Sequence, residues 1–153
     1  MLKPGDFAPD FVFVDEKDEE KKLSDLKGRK VIVYFYPKDN TPGCTAEACS
    51  FRDGYATLLS KGFYVIGISP DSPKSHESFK TKYNLPFPLV SDPDKNIIKA
   101  YGAWGPKKMA GKTYEGVIRT TFIVDENGRI EHVITKVDTK RSAEQVLEIL
   151  NKK

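Results

Sequence analysis

Apolar and polar positions along the chain fall into blocks of different period. Residues 31–36, Val-Ile-Val-Tyr-Phe-Tyr, are a continuous β-branched and aromatic run. With no polar alternation, such a run predicts a central strand buried on both faces. Residues 63–69 predict a second buried strand, and 11–14 a short one. Between the two long runs, Ala48, Phe51, Tyr55, Leu58 and Leu59 recur at helical spacing. They predict a helix from residue 45 to about 60, ended by Gly62. Residues 23–28 form a turn. Ser72-Pro73 places an N-cap before a first-position proline, opening a helix that runs to about residue 83. A short strand at 86–90 and a short helix at 94–101 follow. Residues 102–116 are a long loop containing glycine and lysine. Residues 117–124 and 130–136 form a hairpin around Glu126-Asn127-Gly128, a strong turn signal. Ser142-Ala-Glu-Gln145 has the pattern of a capping box, and Ala143, Val146, Leu147 and Leu150 give the last helix its apolar stripe.

Strands and helices alternate early, which implies parallel pairing, and the late hairpin adds antiparallel strands. The expected fold class is α/β: one domain over residues 1–153, with a mixed central sheet and helices on both faces. The composition changes this picture little. The chain is 39% hydrophobic and 31% charged, an ordinary globular balance. Its formal charge of +3, with the charges interspersed, is too slight to argue for nucleic acid or a membrane surface. The N-terminus lacks the apolar core of a signal peptide, and the apolar runs are too short to span a bilayer. A cytoplasmic protein is the expectation. In that compartment a cysteine pair is more often catalytic or redox-active than a structural staple.

The chain has two cysteines, Cys44 and Cys49, directly after the strongest predicted strand. In open α/β sheets the functional site lies at the carboxyl ends of strands, so the loop after residue 36 is where it is expected. A thiolate is a far better nucleophile than a thiol, and a reactive cysteine needs neighbours that favour the anion. Pro42 and Gly43 break the preceding strand, and helical sequence follows. Cys44 therefore falls in a first helical turn, where unpaired amides and the helix dipole favour negative charge. Thr41 offers a hydroxyl three residues upstream. Against this stands the commoner role of free cysteine as a small buried hydrophobe.

Other constellations are weaker. His76 and His132 are expected at the surface, and Cys44 and Cys49 lack zinc-ligand spacing, which argues against a metal site. Residues 105–113 nearly match a phosphate-binding loop, but the spacing is one residue too long and no buried strand leads in; a basic surface loop is the better reading. No dinucleotide-binding glycine fingerprint occurs. Arg119 opens the otherwise apolar run 119–124. It is either a solvated strand-end residue or a guanidinium aimed at a buried anion, and the sequence leaves both open.

Taken together, these residues resemble a known family. Pro37-x3-Thr41-x2-Cys44 matches the peroxiredoxin signature. The flanks, residues 37–45 and Ala48-Cys49-Ser-Phe-Arg-Asp53, are similar to the Q-type subgroup, also called bacterioferritin comigratory proteins. The likeness continues through residues 67–72, 107–113 and Arg119-Thr-Thr-Phe122, nearly the whole chain. Ser50 and Ala110 depart from it outside the reactive positions. The resemblance implies a thioredoxin-like fold and thiol peroxidase activity on hydrogen peroxide and organic hydroperoxides. It makes Cys44 the peroxidatic and Cys49 the resolving cysteine, joined in an intramolecular disulfide. Pro37, Thr41 and Arg119 complete the peroxide pocket, and Glu47 matches a position that often supports the arginine. It further implies recycling by thioredoxin or a similar dithiol protein, with no metal or other cofactor. A monomer is expected, since resolution fits within one chain.

Helix geometry adds a demand. Residues five apart in an α-helix are roughly 8 to 9 Å apart at Cα, whereas a disulfide needs about 7 Å or less. If Cys44 and Cys49 share a helix, residues from about 43 to 51 must remodel on oxidation, exposing Phe51. Two other classes of function compete: a disulfide oxidoreductase, which would favour a closer cysteine pair, and a non-enzymatic binding or holdase module with incidental cysteines.

Overall fold

The structure is a computed structural model that describes residues 1–151. In chain order its strands are β1 (Val12–Val14), β2 (Glu20–Lys22), β3 (Lys30–Phe35), β4 (Phe63–Ser69), β5 (Leu89–Ser91), β6 (Trp104–Met109), β7 (Lys112–Val117), β8 (Thr120–Val124) and β9 (Ile130–Ile134). The helices are α1 (Pro42–Asp53), α2 (Tyr55–Ser60), α3 (Pro73–Tyr83), α4 (Asn96–Ala100) and α5 (Ser142–Asn151). Five strands form the central sheet in the order β5-β4-β3-β8-β9. β3, β4 and β5 run parallel, and β8 pairs antiparallel with the other edge of β3.

The unbroken apolar run of β3 is explained by its place at the sheet's centre. Val31, Val33 and Phe35 pack with Ile66, Ile68, Phe122 and Tyr101 on one face. Ile32, Tyr34 and Tyr36 pack on the other with Phe51, Leu58, Phe79 and Val146, which come from α1, α2, α3 and α5. Strand period two divides one apolar run between two cores. Every residue of β4 is likewise buried. The mixed α/β architecture expected from the sequence is present. Among the described residues no helix is long and apolar enough to cross a membrane.

Four local expectations are corrected. The single helix of residues 45–60 is two helices divided at Gly54. A Cβ on Gly54 would stand 2.7 Å from Cβ of Ala143, so α5 approaches there too closely for any side chain. The loop at 102–116 is instead the β6–β7 hairpin, whose turn residues Ala110 and Gly111 have φ of 53° and 79°. Left-handed values at both central positions suit the twist of a two-residue hairpin. Val117 ends that hairpin, so the predicted strand 117–124 is broken at residues 118–119. Finally, Ser142 does not cap α5. Its hydroxyl donates to the carbonyl of Asp138, and it is the helix's first residue. The polar strand β2, which pairs with β1, carries no apolar pattern that could have announced it.

Candidate active site

β3 delivers the chain to the carboxyl end of the sheet, and residues 37–41 turn it into α1. Thr41 is extended, with φ −89° and ψ 157°, and Pro42 takes the first helical position. Proline there loses no hydrogen bond, because a first-turn amide has no partner within the helix. Cys44 therefore sits in the first turn, 1% exposed. The buried residues of α1 are Cys44, Glu47, Ala48 and Phe51, spaced as one helical face.

Arg119, in the break between β7 and β8, reaches that face with a forked hydrogen bond. Its Nη2 donates to Sγ of Cys44 at 3.2 Å, and its Nη1 donates to Oε1 of Glu47 at 2.6 Å. The guanidinium is planar and presents donors at fixed angles, so one side chain joins a thiol and a carboxylate. A Cβ on Gly43 would stand 3.3 Å from Nη2, so the glycine makes room for the fork. Burial pushes the Glu47 carboxyl up to about 7, although the positive charge of Arg119 opposes the shift. For Arg119, burial works against its charge, but Glu47 and Cys44 outweigh this and raise its pKa.

The other expected site residues are distributed less simply. Thr41 points its hydroxyl at the Lys38 carbonyl, 2.9 Å away, and makes no side-chain cap to α1. Pro37 is half-buried, directly after Tyr36. Cys49 lies in the same unbroken helix as Cys44, and both are free thiols.

Residues 4–133 match the AhpC/TSA family model. The chain belongs to the AhpC/TSA family, as a Bcp-type peroxiredoxin. It is 52% identical over 136 residues to the putative peroxiredoxin Bcp of Coxiella burnetii, covering 89% of this chain and 90% of that one. A Xylella fastidiosa PrxQ mutant structure superposes with TM-score 0.89 at 33% identity, covering 99% and 97%. A structure of the Xanthomonas campestris bacterioferritin comigratory protein, solved in connection with its alkyl peroxide reduction activity, superposes with TM-score 0.83 at 33% identity over 93% and 90%. The fold is accordingly thioredoxin-like, and the family implies thiol peroxidase activity served by a reductant partner.

Beneath the cysteine loop of this peroxiredoxin lies a polar cluster that sequence reasoning missed. Asp39 accepts from the Tyr36 hydroxyl at 2.6 Å and from the Ser75 hydroxyl at 2.8 Å, and its Oδ2 lies 2.7 Å from Nδ1 of His76. Its amide donates to Asp71 at 2.7 Å. His76 is thus buried, contrary to expectation, with Nε2 3.0 Å from the carbonyl of Val90. It shares the inner face of α3 with Phe79. His132 is half-buried, and its Nε2 has no hydrogen-bond partner among the described residues. Burial disfavours the charge on Asp39, but the hydrogen bonds from His76, Tyr36 and Ser75 prevail and hold its carboxyl below the usual range. Asp39, Asp71 and His76 are close enough together to invite a cation. The hydrogen bonds to Asp39 and Asp71 instead mark the cluster as an anchor for the loop. No local signal announced it: Asp39 stands between Lys38 and Asn40, and its partners Ser75 and His76 come from α3.

Proposed function

We propose that this chain reduces hydrogen peroxide and organic hydroperoxides with Cys44 as the peroxidatic and Cys49 as the resolving cysteine. One observation carries the reading: a permanently charged guanidinium donates to Cys44 Sγ at the first turn of a helix. In the first step the Cys44 thiolate attacks the terminal oxygen of the peroxide. The S–O bond forms as the O–O bond breaks, leaving a sulfenic acid and an alkoxide or hydroxide that takes a proton from water. Charge spreads over sulfur and both oxygens at the transition state. Arg119 and the first-turn amides are preorganised donors for it, and Glu47 fixes the guanidinium from behind. Pro37 shields the sulfur, and Thr41 shapes the pocket mouth while its hydroxyl is held by the Lys38 carbonyl.

In the second step the Cys49 thiol condenses with the sulfenic acid, giving a disulfide and water. Both cysteines lie in one helix, so the bond requires α1 to remodel. Phe51, buried against Tyr34 at a ring separation of 4.9 Å, becomes exposed in the process. A dithiol protein such as thioredoxin then reduces the disulfide. Resolution within one chain needs no second copy, so a monomer suffices.

Stopped-flow peroxide reduction with thioredoxin tests this. Cys44→Ser should abolish peroxide consumption. Cys49→Ser should keep the first rapid peroxide reaction and lose turnover. Turnover by the Cys44→Ser variant would sink the assignment.

A further inference from the structure

α5 begins at Ser142, which does not supply the expected cap. Its first amides need acceptors that no intrahelical carbonyl provides, and Ser142, the expected cap, turns its hydroxyl to the Asp138 carbonyl. The acceptor comes from another helix. The hydroxyl of Ser50 in α1 accepts from the Ala143 amide at 3.1 Å and lies 3.4 Å from Oε2 of Glu144. The two segments also meet on either side of this bond, tightly at Gly54 and at ordinary van der Waals distance at Gly43. Gly54, at the end of α1, leaves no room for a Cβ beside Ala143, and Gly43, at its start, faces the Thr139 methyl group. The segment leading into α5 therefore lies along the length of α1.

We propose that Ser50 is a positioning residue for the resolution step: it caps α5 only while α1 is helical, and so ties the C-terminal helix to the redox state of Cys44 and Cys49. The inference rests on the reading that these two cysteines form a disulfide by remodelling residues from about 43 to 51. Ser50 is inside that stretch. When the stretch remodels, its hydroxyl leaves the Ala143 amide, and the first turn of α5 loosens. The coupling is reciprocal. A bond made only in the dithiol form stabilises that form, so Ser50 restrains disulfide formation and favours return to the reduced state. An N-cap hydroxyl is typically worth about fivefold in an equilibrium constant.

The experiment equilibrates the full chain with mixtures of reduced and oxidised dithiothreitol, and follows hydrogen exchange of α1 and of amides 143–146 in both redox forms. In the wild type, oxidation should deprotect α1 and the first turn of α5 together. Ser50→Ala should deprotect that turn already in the reduced form, with no further change on oxidation. It should also shift the dithiol–disulfide equilibrium about fivefold toward disulfide, a potential about 20 mV more negative. Ser50→Thr, which keeps the hydroxyl, should behave as wild type. If α1 deprotects on oxidation while amides 143–146 stay protected, or if Ser50→Ala leaves the equilibrium unmoved, the proposal is overturned and the disulfide reading stands. If α1 stays protected in the oxidised form, the disulfide reading itself fails and takes the proposal with it.

Discussion

Nη1 of Arg119 donates to Oε1 of Glu47 at 2.6 Å, in a place where the carboxylate has no contact with solvent. A buried ion pair of this kind recovers only part of the desolvation it costs, and the carboxyl is accordingly raised from 4.5 to about 7. The folded protein therefore holds a proton across this window that the unfolded chain releases. The sign follows: this group's contribution is fully present below about pH 4.5 and is lost as pH rises through about 7. Over that range it amounts to about 3 kcal/mol at most. Glu47→Gln should remove the dependence. Urea unfolding of reduced wild type and variant should give matching stabilities near pH 4.5, with the variant the more stable at pH 8. Parallel pH curves for the two proteins would refute the assignment of the shift to Glu47.

Arg119 serves two partners with two nitrogens, a division an ammonium cannot reproduce. Arg119→Lys keeps the charge and loses the fork. Losing one oriented donor at a developing negative charge costs about 10²-fold in rate. The rate constant for peroxide capture by the reduced enzyme should fall by that order. A variant within about threefold of wild type would show that charge alone is enough.

Asp39 has the opposite pH signature to Glu47. Its carboxyl lies below the usual range, so the stability it contributes is present above about pH 4 and is lost as pH falls further. Asp39→Ala would strip partners from Tyr36, Ser75 and His76 at once. Leaving buried polar groups unpaired should cost about 3 kcal/mol. Because the cluster anchors the loop before α1, peroxide capture should slow in the same variant. Thermal unfolding and stopped-flow capture measured together check both effects; loss of stability with unchanged capture would confine Asp39 to the core.

Legibility in the sequence followed the physics of each segment. β3, β4 and α3 were readable because a buried apolar run and a Ser-Pro helix start are local signals. The cysteine loop and Arg119 were readable as chemistry, although Arg119 was equally consistent with a solvated strand end. What escaped depends on partners distant in sequence. Gly54 divides a periodic stretch because α5 presses on it, and Ser50 caps a helix about ninety residues away. His76 was expected in solvent because a lone polar residue on an amphipathic helix usually is; its partner Asp39 comes from the loop between β3 and α1. The β6–β7 hairpin was hidden by lysine and glycine, whose β-propensity is poor.

Tyr34 and Gly67 occupy facing positions in β3 and β4. A Cβ on Gly67 would stand 2.8 Å from Cζ and from the hydroxyl oxygen of Tyr34, and 2.9 Å from Cδ2 of Leu89. The glycine therefore makes space for a tyrosine whose own hydroxyl is buried with no hydrogen-bond partner among the described residues. Gly67→Ala should force the ring toward Phe51 and cost about 1–3 kcal/mol through overpacking. Tyr34→Phe removes an unpaired polar atom and should be neutral or slightly stabilising. In the double variant the phenylalanine yields part of the space the new methyl needs. The two changes should then couple, with the pair less destabilised than Gly67→Ala alone by about 1 kcal/mol. Chemical denaturation of the four proteins supplies the cycle. Strict additivity would mean that the alanine methyl is accommodated by Leu89 rather than by the tyrosine.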